Sequence, residues 1–175
     1  MIFDIGTYLT FYMKIYLASD HAGFFLKEKI KAFLTEKGFQ IEDCGANRFD
    51  KDDDYPDFIA KTAQLVSKDP STKAIIFGSS GQGEAITANK FKNVRAVIFY
   101  TPVIPVQNVD VTGRTSQDQF EMIRLTRLHN DSNILSLGAA FLTEIDAKRA
   151  VEIWLETPFS NEERHKRRIE KINNI

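Results

Sequence analysis

Short apolar runs alternate along this chain with longer amphipathic stretches. Lys14 to Ser19 (KIYLAS), Phe39 to Cys44 (FQIEDC), Ile75 to Phe77, Arg95 to Phe99 (RAVIF) and Ile134 to Leu137 (ILSL) predict strands. The segments Phe24 to Lys37, Tyr55 to Ser67, Glu84 to Phe91, Phe120 to Leu128 and Thr143 to Glu156 carry apolar residues at helical spacing. Gly38 closes the first of these helices, Pro56 stands at a permitted early position of the second, and Pro158 stops the fifth. A last, basic helix starts near Ser160, with Ser160 as N-cap and Glu163 completing a capping box. Strands alternating with helices predict an α/β domain with a five-stranded parallel sheet between helices. Ligands of such sheets bind beyond the carboxyl ends of the strands, which directs attention to the residues that follow each apolar run.

At 175 residues the chain has the length of one domain. We expect that domain over residues 13–175, with residues 1–12 (MIFDIGTYLTFY) as an extension that is either an upstream-start artefact or an arm. That extension lacks a basic n-region and is too short to span a membrane. A hydrophobic content of 43%, a charged content of 27% and a net charge of -1 fit a soluble protein and give no footprint for nucleic acid. The single Cys44 fits a reducing cytoplasm and reads as core filler at a strand end.

The stretch Ala74 to Phe91 (AIIFGSSGQGEAITANKF) joins a strand, a small-residue loop and a helix start. Ser79, Ser80, Gly81, Gln82 and Gly83 leave backbone amides open to an anion, and the helix N-terminus aims its positive end at the same place. Neither the phosphate-loop nor the dinucleotide glycine signature is present, so the loop reads either as an anion or oxyanion site or as a tight packing turn. Asp20 and His21 fall at the ligand edge, where they either hold sugar hydroxyls or, for Asp20, cap the following helix. His129 and Asn130 precede the fifth strand and so belong to the opposite edge, unless a long loop or a second subunit brings them round. Arg164 and Arg168 share a helix face and read either as a phosphate clamp or as a solvated basic surface. Glu84 is either a first-turn acid of ordinary kind or a general base beside the loop.

SDHAG at Ser19 to Gly23, YPD at Tyr55 to Asp57, GSSGQGEAITANK at Gly78 to Lys90, HND at His129 to Asp131 and ERHKRRI at Glu163 to Ile169 together resemble the ribose-5-phosphate isomerase B and galactose-6-phosphate isomerase family. The resemblance implies a Rossmann-like three-layer αβα sandwich. It also implies dimers or tetramers with active sites shared between subunits, and aldose-ketose isomerisation of a sugar phosphate without metal or organic cofactor. Carried over by motif, Asp20 and His21 contact the sugar, Ser79 to Gly83 form the anion hole, and His129 assists ring opening. Asn130 holds hydroxyls, and Arg164 and Arg168 bind phosphate. One branch of the family uses a Cys at the start of the glycine loop as base; Gly78 stands there, which leaves the branch with a Glu after the last loop glycine, here Glu84. Ribose 5-phosphate and ribulose 5-phosphate are the expected pair. The alternatives are another pentose or hexose phosphate, or a non-catalytic binding homologue. The chain departs from the family pattern at Ala140, where an Arg is usual, and in the longer segment from Tyr100 to Arg127.

Overall fold

A computed structural model describes residues 13–175. The expectation for the N-terminal extension lies outside those residues. The chain runs β1 (Lys14–Ser19), α1 (Phe24–Glu36), β2 (Gln40–Asp43), α2 (Tyr55–Lys68), β3 (Lys73–Gly78), α3 (Gln82–Ala88), β4 (Ala96–Phe99), α4 (Glu121–Asn130), β5 (Ile134–Gly138), α5 (Glu144–Glu156) and α6 (Glu163–Asn173). All five strands are parallel, in the order β2-β1-β3-β5-β4.

Alternate strand residues divide the core into two layers. Ile15, Leu17, Ile75, Phe77, Leu135 and Leu137 point to the face covered by α1, α4 and α5. Tyr16, Ala18, Ala74, Ile76 and Ile134 point to the face covered by α2 and α3. The three-layer αβα sandwich expected from the alternation of elements is therefore observed, and the period-two exchange of faces explains why the strands read as nearly unbroken apolar runs. Among the described residues no helix is long and apolar enough to cross a membrane.

Element ends differ from the sequence expectation in a few places. α3 begins at Gln82 rather than Glu84, because Gly81 adopts φ +75°, turns the chain, and lets Gly81 O accept from Ala85 N. The capping box at Ser160 does not form: α6 starts at Glu163 with Glu162 as its cap residue, and no side chain caps it. Ser160 Oγ instead lies 2.7 Å from His165 Nδ1, and the buried imidazole has displaced the expected partner. Cys44 is half-buried just after β2.

Two features bring distant loops to the carboxyl rim. Ser19 exchanges backbone hydrogen bonds with Gly45 and Ala46, at 2.9 and 2.8 Å, which lays the 45–54 loop beside the end of β1. Lys27, fully buried on α1, is held by Asp43 (2.6 Å) and Glu28 (2.7 Å), so its charge is matched where α1 meets β2. The sheet order switches direction between β1 and β3, and the crevice beyond their carboxyl ends is the topological place for a ligand.

Candidate active site

Four segments converge on that crevice. After β1, Asp20 is 6% exposed, and its Oδ1 accepts the N–H groups of Ala22 (2.9 Å) and Gly23 (3.4 Å). Ala22 and Gly23 both precede α1, whose N-cap is Gly23 with no side-chain cap, so Asp20 closes the turn ahead of the helix and the capping role weighed for it is not observed. Its second oxygen lies 4.0 Å from His21 Nδ1. His21 is gripped from the 45–54 loop: Asp53 Oδ1 accepts the His21 main-chain N–H at 2.8 Å and lies 2.8 Å from Nδ1. Hydrogen bonding to Asp53, joined by the charge of Asp20, raises the imidazole pKa above its usual 6.5. Asp20, His21 and Asp53 offer atoms within 4.8 Å of one another, a spacing that suits a small cation. His21 Nδ1 and Asp53 Oδ1 are nevertheless already paired with each other, and hydrogen bonding organises the group.

The small-residue loop after β3 supplies the other wall. Gly78 O accepts from Ala139 N (2.8 Å) and Ser79 O from Ala140 N (3.0 Å), so the loop carbonyls are tied to β5 and turned away from the crevice. Ser136 Oγ donates to Gly81 O at 2.6 Å and fixes the turn from the same strand. Ser79 and Gln82 are exposed, Ser80 and Gly83 partly so, and Gly81 is buried. Glu84, in the first turn of α3, is only 5% exposed and folds its carboxylate back over Gly78. A Cβ on residue 78 would stand 1.8 Å from Glu84 Oε1 and 2.1 Å from Cδ, so the carboxylate occupies space that only glycine leaves empty. Burial is the main cause that raises the Glu84 pKa above 4.5, and the nearby charge of Asp20 acts in the same direction.

The remaining expected residues lie elsewhere. His129 ends α4, which leads into the amino end of β5, so a parallel sheet puts it at the opposite rim. There its ring meets that of His165, with centroids 4.4 Å apart. His129 has its pKa lowered from 6.5, first by burial and then by the charges of His165 and Arg164, against Glu162 and Asp110. Arg164 is half-buried beside this pair, with Nε donating to Glu162 at 2.7 Å. Arg168, one helical turn on, is exposed. Asn130 is exposed, and its carbonyl accepts from Arg95 Nε (2.9 Å). The structure therefore gathers Asp20, His21, the loop and Glu84 in one place, and His129, Asn130, Arg164 and Arg168 in another.

Two neighbours escaped the sequence reading. Asp53 sits within the run Asp52, Asp53, Asp54, where nothing distinguishes one acid from the next. His165 lies inside a motif that drew attention only to its arginines. A histidine among five basic residues was the available signal.

A buried carboxylate beside an amide-rich loop, at the switch point of a parallel sheet, defines a class: an α/β enzyme equipped for proton transfer next to an anion. The family is settled by comparison, because the model described as Ribose/Galactose Isomerase matches residues 15–108 and 115–172, and the chain belongs to that family. It is 37% identical over 158 residues to a ribose-5-phosphate isomerase B of Mycolicibacterium paratuberculosis, covering 90% of this chain and 88% of that protein. It is 32% identical over 162 residues to the Escherichia coli protein of the same name, covering 93% and 95%. In structure it resembles ribose-5-phosphate isomerase B of Mycoplasma genitalium with bound ribulose-5-phosphate, at a TM-score of 0.80 and 32% identity, over 93% of this chain and 95% of that one. The Thermotoga maritima enzyme gives 0.79 and 35%, over 94% and 99%.

Proposed function

We propose that this chain interconverts ribose 5-phosphate and ribulose 5-phosphate, with Glu84 as the base that carries a proton between C2 and C1. The observation behind this reading is the position of the Glu84 carboxylate, buried over Gly78 with its pKa raised. A carboxylate tuned upward is a better proton acceptor at neutral pH than one in water, and it gives the proton back readily. The Glu84 carboxylate removes the C2 proton of the open-chain aldose, and a cis-enediolate forms. Its negative charge is held by the amides of Ser79 to Gly83. The O2 proton passes to O1 within the enediolate, and Glu84 then returns its proton to C1, which leaves the carbonyl at C2. Asp20 and His21 hold the sugar hydroxyls.

His129, Asn130, Arg164 and Arg168 complete the site from a second copy of the chain, since their rim faces away from Glu84 in the first. His129, whose pKa is lowered, is neutral near pH 7 and can take the proton of the anomeric hydroxyl and pass one to the ring oxygen as the C1–O bond of the furanose breaks. Arg164 and Arg168 hold the phosphate.

A specific observation favours a second reading, in which the mechanism is unchanged and the sugar differs. Residues 109–114 fall outside the family match, and Ala140 stands where the motif resemblance leads one to expect an Arg. The test is exchange of the C2 proton with deuterated water, followed by NMR for a panel of pentose and hexose phosphates in wild type and Glu84→Gln. Exchange with one sugar, lost in the variant, supports the mechanism and names the substrate. No exchange with any sugar counts against both readings.

A further inference from the structure

The loop between β2 and α2 is rich in acids, and one of them behaves unlike the rest. Asp50, Asp52 and Asp54 are exposed, whereas the Asp53 side chain is 11% exposed and turned inward. Its own N–H donates to Asp50 O (3.2 Å) and Asp52 N–H donates to Asp50 Oδ1 (3.2 Å), so a local turn presents Asp53 to a residue 32 positions earlier. One oxygen, Oδ1, meets both polar atoms that His21 offers on that side, the main-chain N–H and ring Nδ1, each at 2.8 Å.

A carboxylate oxygen at that distance from a ring nitrogen has a definite chemical meaning. An ionised carboxylate only accepts hydrogen bonds, so His21 Nδ1 must carry the hydrogen. The neutral ring then has its lone pair on Nε2. Phe49 stands edge-on to the ring, 6.4 Å between centroids, and restricts its rotation. We infer that Asp53 is a positioning residue, which fixes His21 in the Nδ1–H tautomer and leaves Nε2 as the ring atom that meets the sugar phosphate. The second half of that statement rests on the function proposed above; the first half does not.

The charged groups facing His21 are Asp20, from its own loop, and Asp53, from the 45–54 loop. Both are acids, and both favour the imidazolium, which shifts the His21 titration above 6.5. Protonated at both nitrogens, the ring donates from Nε2 to a phosphate or hydroxyl oxygen; neutral, it accepts there. Asp53 thereby selects which of the two the site offers at a given pH.

Long-range 1H–15N NMR of uniformly 15N-labelled protein, followed from pH 5 to pH 9, reads the tautomer and midpoint of His21 without reference to activity. The wild type is expected to show Nδ1 protonated throughout and a midpoint above 6.5. In Asp53→Asn the midpoint should fall, and both tautomers should appear above it. The kcat/KM for ribose 5-phosphate should drop about 10- to 100-fold, as when the orienting partner of a functional histidine is removed, and the limb of its pH profile should move with the NMR midpoint. A wild-type ring protonated at Nε2 instead, or an Asp53→Asn protein with unaltered shifts, midpoint and kcat/KM, would overturn the inference. The wild-type spectrum decides the tautomer even where the variant fails to fold. A wild type that isomerises no sugar, yet shows the expected tautomer and its loss in Asp53→Asn, supports the pair and rejects the proposed function instead.

Discussion

At the carboxyl rim of the sheet, Asp20 and Asp53 flank one imidazole, and Glu84, a third largely buried acid, feels the charge of Asp20. At the opposite rim the tilted rings of His129 and His165 meet, the charge of Arg164 acts on His129, and Arg168 follows one turn on. At each rim one candidate acid–base group is pushed toward its uncharged form, whereas His21, between its two acids, is pushed toward the charged one. Burial and Asp20 raise Glu84, while burial, His165 and Arg164 lower His129. The difference teaches a division of labour: an acidic rim is suited to taking protons from carbon, and a basic rim is suited to receiving an anion. A single chain carries one of each, on faces that do not meet.

The largest effect should come from breaking the acidic rim. Glu84→Gln removes the base and is expected to lower kcat for isomerisation by about 10^2- to 10^4-fold in a steady-state assay. Gly78→Ala should cost nearly as much, on the order of 100-fold or more, because its Cβ lands 1.8 Å from Glu84 Oε1 and must push the carboxylate out of place. That substitution also separates position from chemistry, since the base itself is still present.

An intermediate effect is expected from the basic rim. Arg164→Ala and Arg168→Ala should each raise KM for the phosphorylated sugar by about tenfold or more, with a smaller change in kcat. Arg164 should show the larger change, because it is half-buried and held by Glu162, whereas Arg168 is free to move in solvent. An unphosphorylated sugar should not distinguish either variant from wild type.

The smallest effect is one of stability, and it has the opposite sign from the loss of activity. The folded-state pKa of Glu84 lies above 4.5, so the fold favours the protonated carboxyl. Its contribution to stability is whole below pH 4.5 and is lost as pH rises through the folded value. Glu84→Gln, inactive, should therefore melt higher than wild type at pH 7, on the order of 2 °C. The gap should close as the pH approaches 4.5 in a thermal-denaturation series.

Much of this was legible in the residues. The inner strands β1, β3 and β5 were visible because they are buried on both faces and read as apolar runs, whereas β2, at the sheet edge, showed only as an alternation; the switch point followed from the alternation of strands with helices. Glu84 and the loop drew attention because small residues between a strand and a helix suit an anion site or a tight packing turn, and spacing does not choose between the two. The sign of the Glu84 shift was not, since it is set by how the side chain packs over Gly78 and how near Asp20 stands, and neither follows from spacing. Asp53 was hidden for a different reason: three adjacent acids present one composition, and only the turn at Asp50 decides which faces inward. Ser160 misled because the serine that fits a capping box also fits a buried imidazole, and His165 was the stronger partner.

The separation of the rims is tested most directly by mixing two inactive proteins, Glu84→Gln and His129→Ala, co-expressed so that their subunits exchange. Neither variant alone has an intact pair of rims. If a site is built from the acidic rim of one subunit and the basic rim of its partner, each mixed dimer holds one fully wild-type site. A random mixture should then regain about a quarter of wild-type activity in a two-fold symmetric assembly. Activity no greater than that of the two variants measured separately would contradict the account, and would mean that the two rims do not complete one another across subunits.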